Sequence, residues 1–347
     1  MSTNYNTFVH SGNIGDIIYA LPTIKALGGG ILYINPCCTV SVITKSNAEK
    51  LKPLLLAQPY IKDVIIRVFN QEVIKKGISA AKPPKSNKNW GIPLAGKKIK
   101  GITYNLDNFR LQKNIRRTHL TLTFARTFKV DIDISSPWLK VPKEKNEPKK
   151  NIVVNLTNRY RITDNKFWKY ILKDIPNIIV VGDKRTLKEA RFLKGKKIEC
   201  SDFLELAKLI SSSKLFLGNQ SFPNCIAESI KIKRAIEVSL MDFTSYPLSK
   251  NGYILPTDKQ IAKAAVKLLI KDEISEKDFL DLLEEYKNKL IEVYSIKSEP
   301  TEKQKEELNK TLKLLKEKTL STKEGGAEES RWIKTLTSLF HKKSLYN

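Results

Sequence analysis

The sequence predicts an α/β chain in which two parallel-sheet domains face a cleft, followed by a helical extension. Three observations carry this. Short apolar, β-prone runs alternate with runs whose apolar residues recur at helical spacing. A charged, proline-bracketed stretch from Pro142 to Lys150 separates one such array from a second. Past residue 270 the strand patterns stop and long charged helical patterns take over. The expected units are therefore 1–145, 146–270 and 271–347, and two successive βα arrays imply two parallel sheets.

The elements follow in order. Thr7-Phe8-Val9 reads as a first strand, and Ile17, Ala20, Leu21, Ile24 and Leu27 as one face of a first helix. Between them lies His10-Ser11-Gly12-Asn13-Ile14-Gly15-Asp16. Gly12 and Gly15 let backbone approach a ligand, and the helix start aims free N–H groups at it. Strands are next expected at 39–44 and 64–68 and at Ile102 to Leu106, with helices at 48–56 and 120–128. Residues 82–100 read as loop. In the second array, strands are expected at 151–156, 177–181, 197–200, 215–217 and 235–238. Helices are expected at 167–175, 187–193, 203–210 (with Asp202 near its N-cap) and 225–230. Residues 258–269 read as a closing helix that crosses back to the first domain. Residues 278–293 and 301–318 read as charged helices, a hairpin or coiled coil that joins copies of the chain. Trp332, Leu336, Leu339 and Phe340 with Lys334, Lys342 and Lys343 form a basic amphipathic end suited to a membrane or a second subunit.

The 347 residues carry 62 Lys and Arg against 36 Asp and Glu, a formal net charge of +26. The excess is +16 in residues 1–150, +8 in 151–255 and +2 in 256–347. Residues 82–117 hold ten basic residues and only Asp107 as an acid. Such a patch suits a polyanion: nucleic acid, an anionic lipid surface or a phosphorylated glycan. Lysine supplies 51 of the 62 cations, which is also what an AT-rich genome produces without selection for binding. No run of 18 apolar residues and no basic-then-apolar leader is present, so a cytoplasmic protein is expected. Cys37, Cys38, Cys200 and Cys225 form no CxxC pair and read as free thiols. Asp131-Ile132-Asp133 reads as a strand edge, and the histidines at 10, 119 and 341 form no metal constellation; no metal or cofactor is expected.

Taken together, the Gly15-Asp16 loop, the polar-ended strand at Asn155 and the turn Gly218-Asn219-Gln220-Ser221 resemble, in their order, the GT-B glycosyltransferases. The closest likeness is to glycosyltransferase family 9, the heptosyltransferase-like type, in its phage and bacterial variants. The resemblance spans residues 5–270. It implies two Rossmann-like domains, 1–145 taking the acceptor and 146–270 the nucleotide-sugar donor. The family's proposed general base is the carboxylate of a Gly-Asp pair opening the first helix, the position of Asp16. Its second-domain turn reads Asp-(Ser/Thr)-Gly-x-x-His; here Asn219-Gln220-Ser221-Phe222-Pro223-Asn224 lacks the acid, the glycine and the histidine.

The implied chemistry is sugar transfer from a nucleotide donor to a hydroxyl, with inversion. One carboxylate takes the acceptor proton while cations and N–H groups carry the leaving diphosphate. On this reading Gly12, Asn13, Gly15, Arg110, Arg116 and Arg117 meet the acceptor. Asn155, Arg159, Arg161, Gly182, Lys184, Gly218, Asn219, Gln220, Ser221, Asn224 and Glu228 meet the donor, Glu228 through ribose hydroxyls. The acceptor is expected to be anionic, a lipopolysaccharide-type glycan or nucleic acid. Three other readings stay open: a phage-type DNA glycosyltransferase, a non-catalytic GT-B protein that only binds the nucleotide-sugar, and a nucleotide-sugar epimerase.

Overall fold

The computed structural model describes residues 5–36, 43–69, 94–113, 115–142, 151–240, 242–271, 277–295 and 301–321. Cys37 and Cys38, most of the strand expected at 39–44, most of the loop at 82–100, the linker at 143–150 and the basic end after 321 lie outside these residues.

The first sheet is parallel and runs β3-β2-β1-β4, with β1 Asn6–His10, β2 Gly30–Ile34, β3 Ile61–Ile66 and β4 Tyr104–Asn105. Helix α1 (Ile14–Ala26) joins β1 to β2, and α2 (Lys45–Leu56) joins β2 to β3. Ile17, Ile18, Tyr19, Ala20, Leu21 and Ile24 of α1 are all buried. A helix apolar on most sides must be covered on most sides; α1 packs against α3 (Leu120–Phe128) and, from the second half, against α7 (Phe222–Ser229). The second described strand is Gly30–Ile34, a run the sequence reading passed over. Three consecutive glycines hid it. Gly29 has φ +70°, and a Cβ there would meet the Tyr60 backbone, so only glycine admits the pairing of β2 with β3.

The second sheet, also parallel, runs β10-β9-β8-β5-β6-β7. Its strands are β5 Ile152–Asn155, β6 Ile178–Val181, β7 Lys196–Ile198, β8 Leu215–Asn219, β9 Arg234–Glu237 and β10 Gly252–Ile254. β6 is apolar throughout, β5 is apolar up to Asn155, and both are buried, as parallel strands between helical layers must be. Helices α4 (Asn165–Leu172), α5 (Lys184–Glu189) and α6 (Phe203–Ser211) follow β5, β6 and β7. Chain order moves one way from β5 to β7, then jumps back to β8 and continues the other way. Right-handed crossovers put α4 and α5 on one face and α6 and α7 on the other. α6 and α7 pack on each other and against α2 and α1. α8 (Lys259–Lys271) packs on α4, so it stays with the second sheet and does not cross back to the first. α9 (Lys277–Ser295) and α10 (Glu302–Ser321) form a hairpin packed on α8 and β10.

This is the expected α/β architecture of two parallel sheets and a helical extension. Buried residues of both sheets and of the hairpin, from Phe8 through Val153 to Leu283 and Leu312, belong to one continuous apolar cluster. Among the described residues no helix is long and apolar enough to cross a membrane.

Candidate functional site

Strand order reverses at two places, between β1 and β4 and between β5 and β8. Ligands of open α/β sheets bind outside the carboxyl ends of strands at such switch points. Both of the loops singled out in the sequence lie there.

At the first, β1 ends at His10 and α1 starts at Ile14. Asp16, in the first turn, accepts the Asn13 N–H on Oδ2 at 3.1 Å, which caps the helix. The same oxygen accepts from Arg110 Nη2 at 3.1 Å. The Asp16 side chain is 15% exposed and that of Arg110 is 27% exposed. Gly12 is dictated by this geometry: a Cβ there would sit 2.9 Å from Asp16 Oδ2 and collide with the His10 ring.

Arg110 belongs to a 3-10 turn, Leu106–Leu111, that follows β4. The turn also carries Asp107, fully buried, which accepts the Ser11 N–H at 2.8 Å and the Ser11 hydroxyl. His10 Nδ1 lies 2.7 Å from the Gly12 nitrogen and 3.1 Å from Asp107 Oδ1. Burial alone would raise the Asp107 carboxyl, but the His10 and Ser11 contacts more than offset it and hold it below the usual range. Asn35 Nδ2 donates to Ser11 Oγ at 3.1 Å and its Oδ1 accepts the Phe69 N–H at 3.0 Å. One buried polar network thus ties the segments beyond β1, β2, β3 and β4 together beneath the loop that bears Asp16. Asp107, Ser11 and Asn35 were not anticipated as a set, because their partners are 24 to 96 residues apart in sequence.

At the second switch point, most polar side chains turn inward. Asn155 Nδ2 donates to Val181 O at 2.7 Å, and its Oδ1 accepts the Ser221 hydroxyl at 2.7 Å. Asn219 Nδ2 donates to Thr157 O at 2.8 Å and Arg159 O at 2.7 Å, while its Oδ1 accepts the Thr157 N–H at 3.2 Å. Gln220 bonds Asp242 O at 2.7 Å and the Ser239 N–H at 2.6 Å. Asn224 is buried and donates to Ser245 O at 3.4 Å. These side chains hold loops. Glu228 departs furthest from expectation. It is buried at the back of α7, where it ion-pairs with buried Arg234, meets Lys231 Nζ at 3.0 Å and accepts the Leu248 N–H at 3.0 Å. A carboxylate so enclosed has no oxygen for a ribose, and one helical turn past Asn224 points into the protein.

The groups left facing outward sit on loops. Arg159 is exposed, with its guanidinium 4.5 Å from the Tyr160 ring centre. Tyr160 has φ +59°, an unfavourable conformation for an aromatic residue. Arg161 turns inward: its side chain is only 10% exposed, its Nη2 donates to Asn165 Oδ1 at 2.7 Å and its Nε lies 3.9 Å from Glu237 Oε1. Glu237, at the end of β9, was not singled out in the sequence because it reads as a strand residue. Its Oε2 accepts the Thr163 N–H at 3.1 Å and hydroxyl at 2.5 Å. Burial pushes its carboxyl up to about 6, with Thr163 and Arg161 opposing. Asn219 and Glu237 together strap residues 157–163 across the ends of β8 and β9. Lys184 is exposed in the first turn of α5, which Asp183 caps by accepting the Thr186 N–H at 2.7 Å. Gly182, just before it, has no room for a Cβ beside Thr186 (2.7 Å); at Gly218 a Cβ would collide with the Asn155 carbonyl.

The two switch points meet. A Cβ on Gly15 would lie 3.0 Å from Cys225 Sγ of α7, so the loop bearing Asp16 rests on the first turns of α7. Burial pushes the Cys225 thiol up to about 12, so it supplies no thiolate. The contact continues through Tyr19, edge-on to His119 at 4.7 Å, and His119 to Tyr246 at 5.2 Å. Arg116 O accepts the Phe243 N–H at 2.8 Å. Arg116 thus lies on the seam between the halves, with Arg117 next to it in the 3-10 turn Ile115–Arg117, and Arg110 pairs with Asp16. Asp133 accepts from Ser135 and Ser136 in an exposed turn, and no group of three or more potential metal ligands occurs among the described residues.

No protein-family model matches the chain, and no curated protein matches it. Solved structures similar to it include the glycosyl transferase family 9 from Veillonella parvula DSM 2008, at 14% identity over 86% of this chain and 99% of that one, TM-score 0.48. E. coli heptosyltransferase WaaC with ADP-2-deoxy-2-fluoro heptose is similar at 12% identity, covering 77% and 98%, TM-score 0.43. E. coli ADP-heptose lps heptosyltransferase II is similar at 9% identity, covering 77% and 99%, TM-score 0.45.

Proposed function

We propose that this chain is a glycosyltransferase that moves a sugar from a nucleotide-sugar donor to a hydroxyl of an anionic acceptor. The observation that carries the reading is the placement of Asp16. It lies at the switch point of one parallel sheet, paired with Arg110, where its loop rests on the helix that opens from the switch point of the other. The resemblance of the Gly15-Asp16 loop to family 9 adds to it.

Residues 1–145 take the acceptor and 146–270 the donor. Both protein contacts of Asp16 fall on Oδ2, so Oδ1 is the oxygen that removes the acceptor's hydroxyl proton. The acceptor oxygen forms its bond to the anomeric carbon as the bond from that carbon to the diphosphate oxygen breaks, with inversion. The leaving nucleoside diphosphate takes the electron pair. Arg159, Arg161 and Lys184 and the Phe222 N–H that opens α7 meet its charge. Arg110, beside the reacting hydroxyl, favours an acceptor that carries a phosphate or carboxylate.

A thermal-shift screen against nucleoside diphosphates and their sugars identifies the donor, because a ligand of the folded state raises the melting temperature. With that donor, Asp16→Asn is expected to cut turnover by about 10²–10⁴-fold while donor affinity holds. Near-normal turnover in Asp16→Asn overturns the reading.

A further inference from the structure

On the face of the second sheet turned away from α1 and α2, α4 and α8 lie side by side. Lys259, Lys263, Lys267 and Lys271 recur every four residues along α8. At 3.6 residues per turn they occupy about a third of its circumference. Lys166, Lys169 and Lys173 make a matching stripe along α4 and its end. All but Lys263 are classed as exposed. The stripes converge on Tyr170, with Lys259 Nζ at 5.4 Å and Lys263 Nζ at 4.9 Å from its ring centre. Three acids accompany the seven lysines among the described residues of the two helices. Asp164 caps α4 by accepting the Phe167 N–H at 2.8 Å. Asp258 caps α8 by accepting the Gln260 and Ile261 N–H groups. Asp174 accepts from Lys263 Nζ at 2.7 Å, and that bond, with Lys173 and Lys267 also close, holds its carboxyl below the usual range.

Lysine-rich composition does not account for this face. The α9–α10 hairpin carries nine lysines, yet there they are interleaved with acids: Lys289 with Glu285 at 2.7 Å, Lys305 with Glu302 at 2.6 Å, Lys318 with Asp278 at 3.0 Å. Like charges at four-residue spacing destabilise a helix. On the α4–α8 face the lysines outnumber the acids of the same described helices seven to three.

We propose that the paired lysine stripes of α4 and α8 are a docking surface for an anionic lipid membrane. The residue types favour headgroups over nucleic acid. Neither segment contains arginine, the fork that reads phosphate and base edges in pairs. The one aromatic ring is engaged by two lysines, so it offers no free platform for a base. Flexible lysines along two adjacent helices instead present point charges to a layer of phosphates. Docking there leaves both switch points uncovered. The surface is independent of the catalytic reading and stands or falls without it.

The test is sedimentation of the full chain with phosphatidylcholine vesicles, with and without phosphatidylglycerol. Binding is expected only with the anionic lipid and is lost in high salt. Replacing Lys166, Lys169, Lys259 and Lys267 with Gln is expected to weaken it about 600-fold, from about fivefold per lysine. A control with the same charge change, Lys277, Lys303, Lys310 and Lys313 to Gln, is expected to bind nearly as the parent does. Melting temperatures check that both variants fold; if the first melts early, the Lys166→Gln, Lys259→Gln pair replaces it, with a loss of about 25-fold. Absence of binding to anionic vesicles overturns the proposal. So does an equal loss in the control, which would reduce the effect to net charge. Binding of duplex DNA that depends on the stripes, with vesicles ignored, would also overturn it and give the face to nucleic acid.

Discussion

At the end of β1, Asp16 keeps its protein contacts on one carboxylate oxygen and stays partly open. At the ends of β5, β8 and β9, the side chains of Asn155, Asn219, Gln220 and Glu237 are engaged with backbone and hydroxyl groups of neighbouring loops. Both regions are switch points of parallel sheets, and both looked alike in sequence: small and polar residues where a strand gives way to a helix. The difference is in what supports the loop. In the first sheet, buried Asp107 holds the loop from below through Ser11, which leaves Asp16 to face outward. In the second, the strand-end residues themselves are the support, and the outward cation of the strapped loop is Arg159. A polar residue at a strand end is a ligand group only where something else anchors the backbone.

That contrast breaks first at Glu228. If it is an internal anchor, Glu228→Ala leaves Arg234 buried without its partner and costs about 3–5 kcal/mol in urea denaturation. A ribose-binding carboxylate at the surface would cost almost nothing to remove.

The strapped loop gives the next effect. Changing Arg159 and Arg161 to Gln together is expected to weaken nucleoside diphosphate binding by about 10- to 100-fold by calorimetry, from the loss of charge-assisted hydrogen bonds. The Arg159→Gln change alone should barely alter stability, since Arg159 is exposed, whereas Arg161 is mostly buried beside Glu237. An unchanged affinity would move the diphosphate elsewhere.

A smaller effect separates the two regions by pH. Glu237 binds its proton more tightly in the folded chain, with its carboxyl raised from 4.5 to about 6. Its contribution to stability is therefore greatest below 4.5 and is lost as pH rises to about 6, a fall of about 2 kcal/mol. Asp107 has the opposite sign. Its carboxyl is depressed, so its contribution is present above 3.8 and is lost as pH falls below that. Comparing the parent with Glu237→Gln across this range isolates the first slope; parallel curves would mean that Glu237 is not a buried anchor.

Much of the fold was legible because parallel strands announce themselves as apolar runs and helices by their spacing. α3 lies at Leu120–Phe128 as read, and α6 begins after its Asp202 cap, which accepts the Glu205 N–H. β2 was not legible, since its first residue is a glycine whose φ of +149° suits a close pairing that looks like loop composition. β10 has only three residues and no pattern of its own. For the site, Asp16 and Arg110 were nameable from residue type. Their support by Asp107 was not, because the bond from Ser11 spans 96 residues. Asn219 and Glu228 were misjudged for a related reason: the same amide or carboxylate serves a ligand or a loop, and only the partner's position decides which.

The most direct measurement is hydrogen–deuterium exchange of the full chain with and without the nucleoside diphosphate chosen by thermal shift. The account predicts added protection in residues 157–164, 182–186 and 219–225, with residues 106–111 unaffected. Protection confined to residues 10–16 and 106–111 would put the nucleotide on the first sheet and contradict the division of labour between the two.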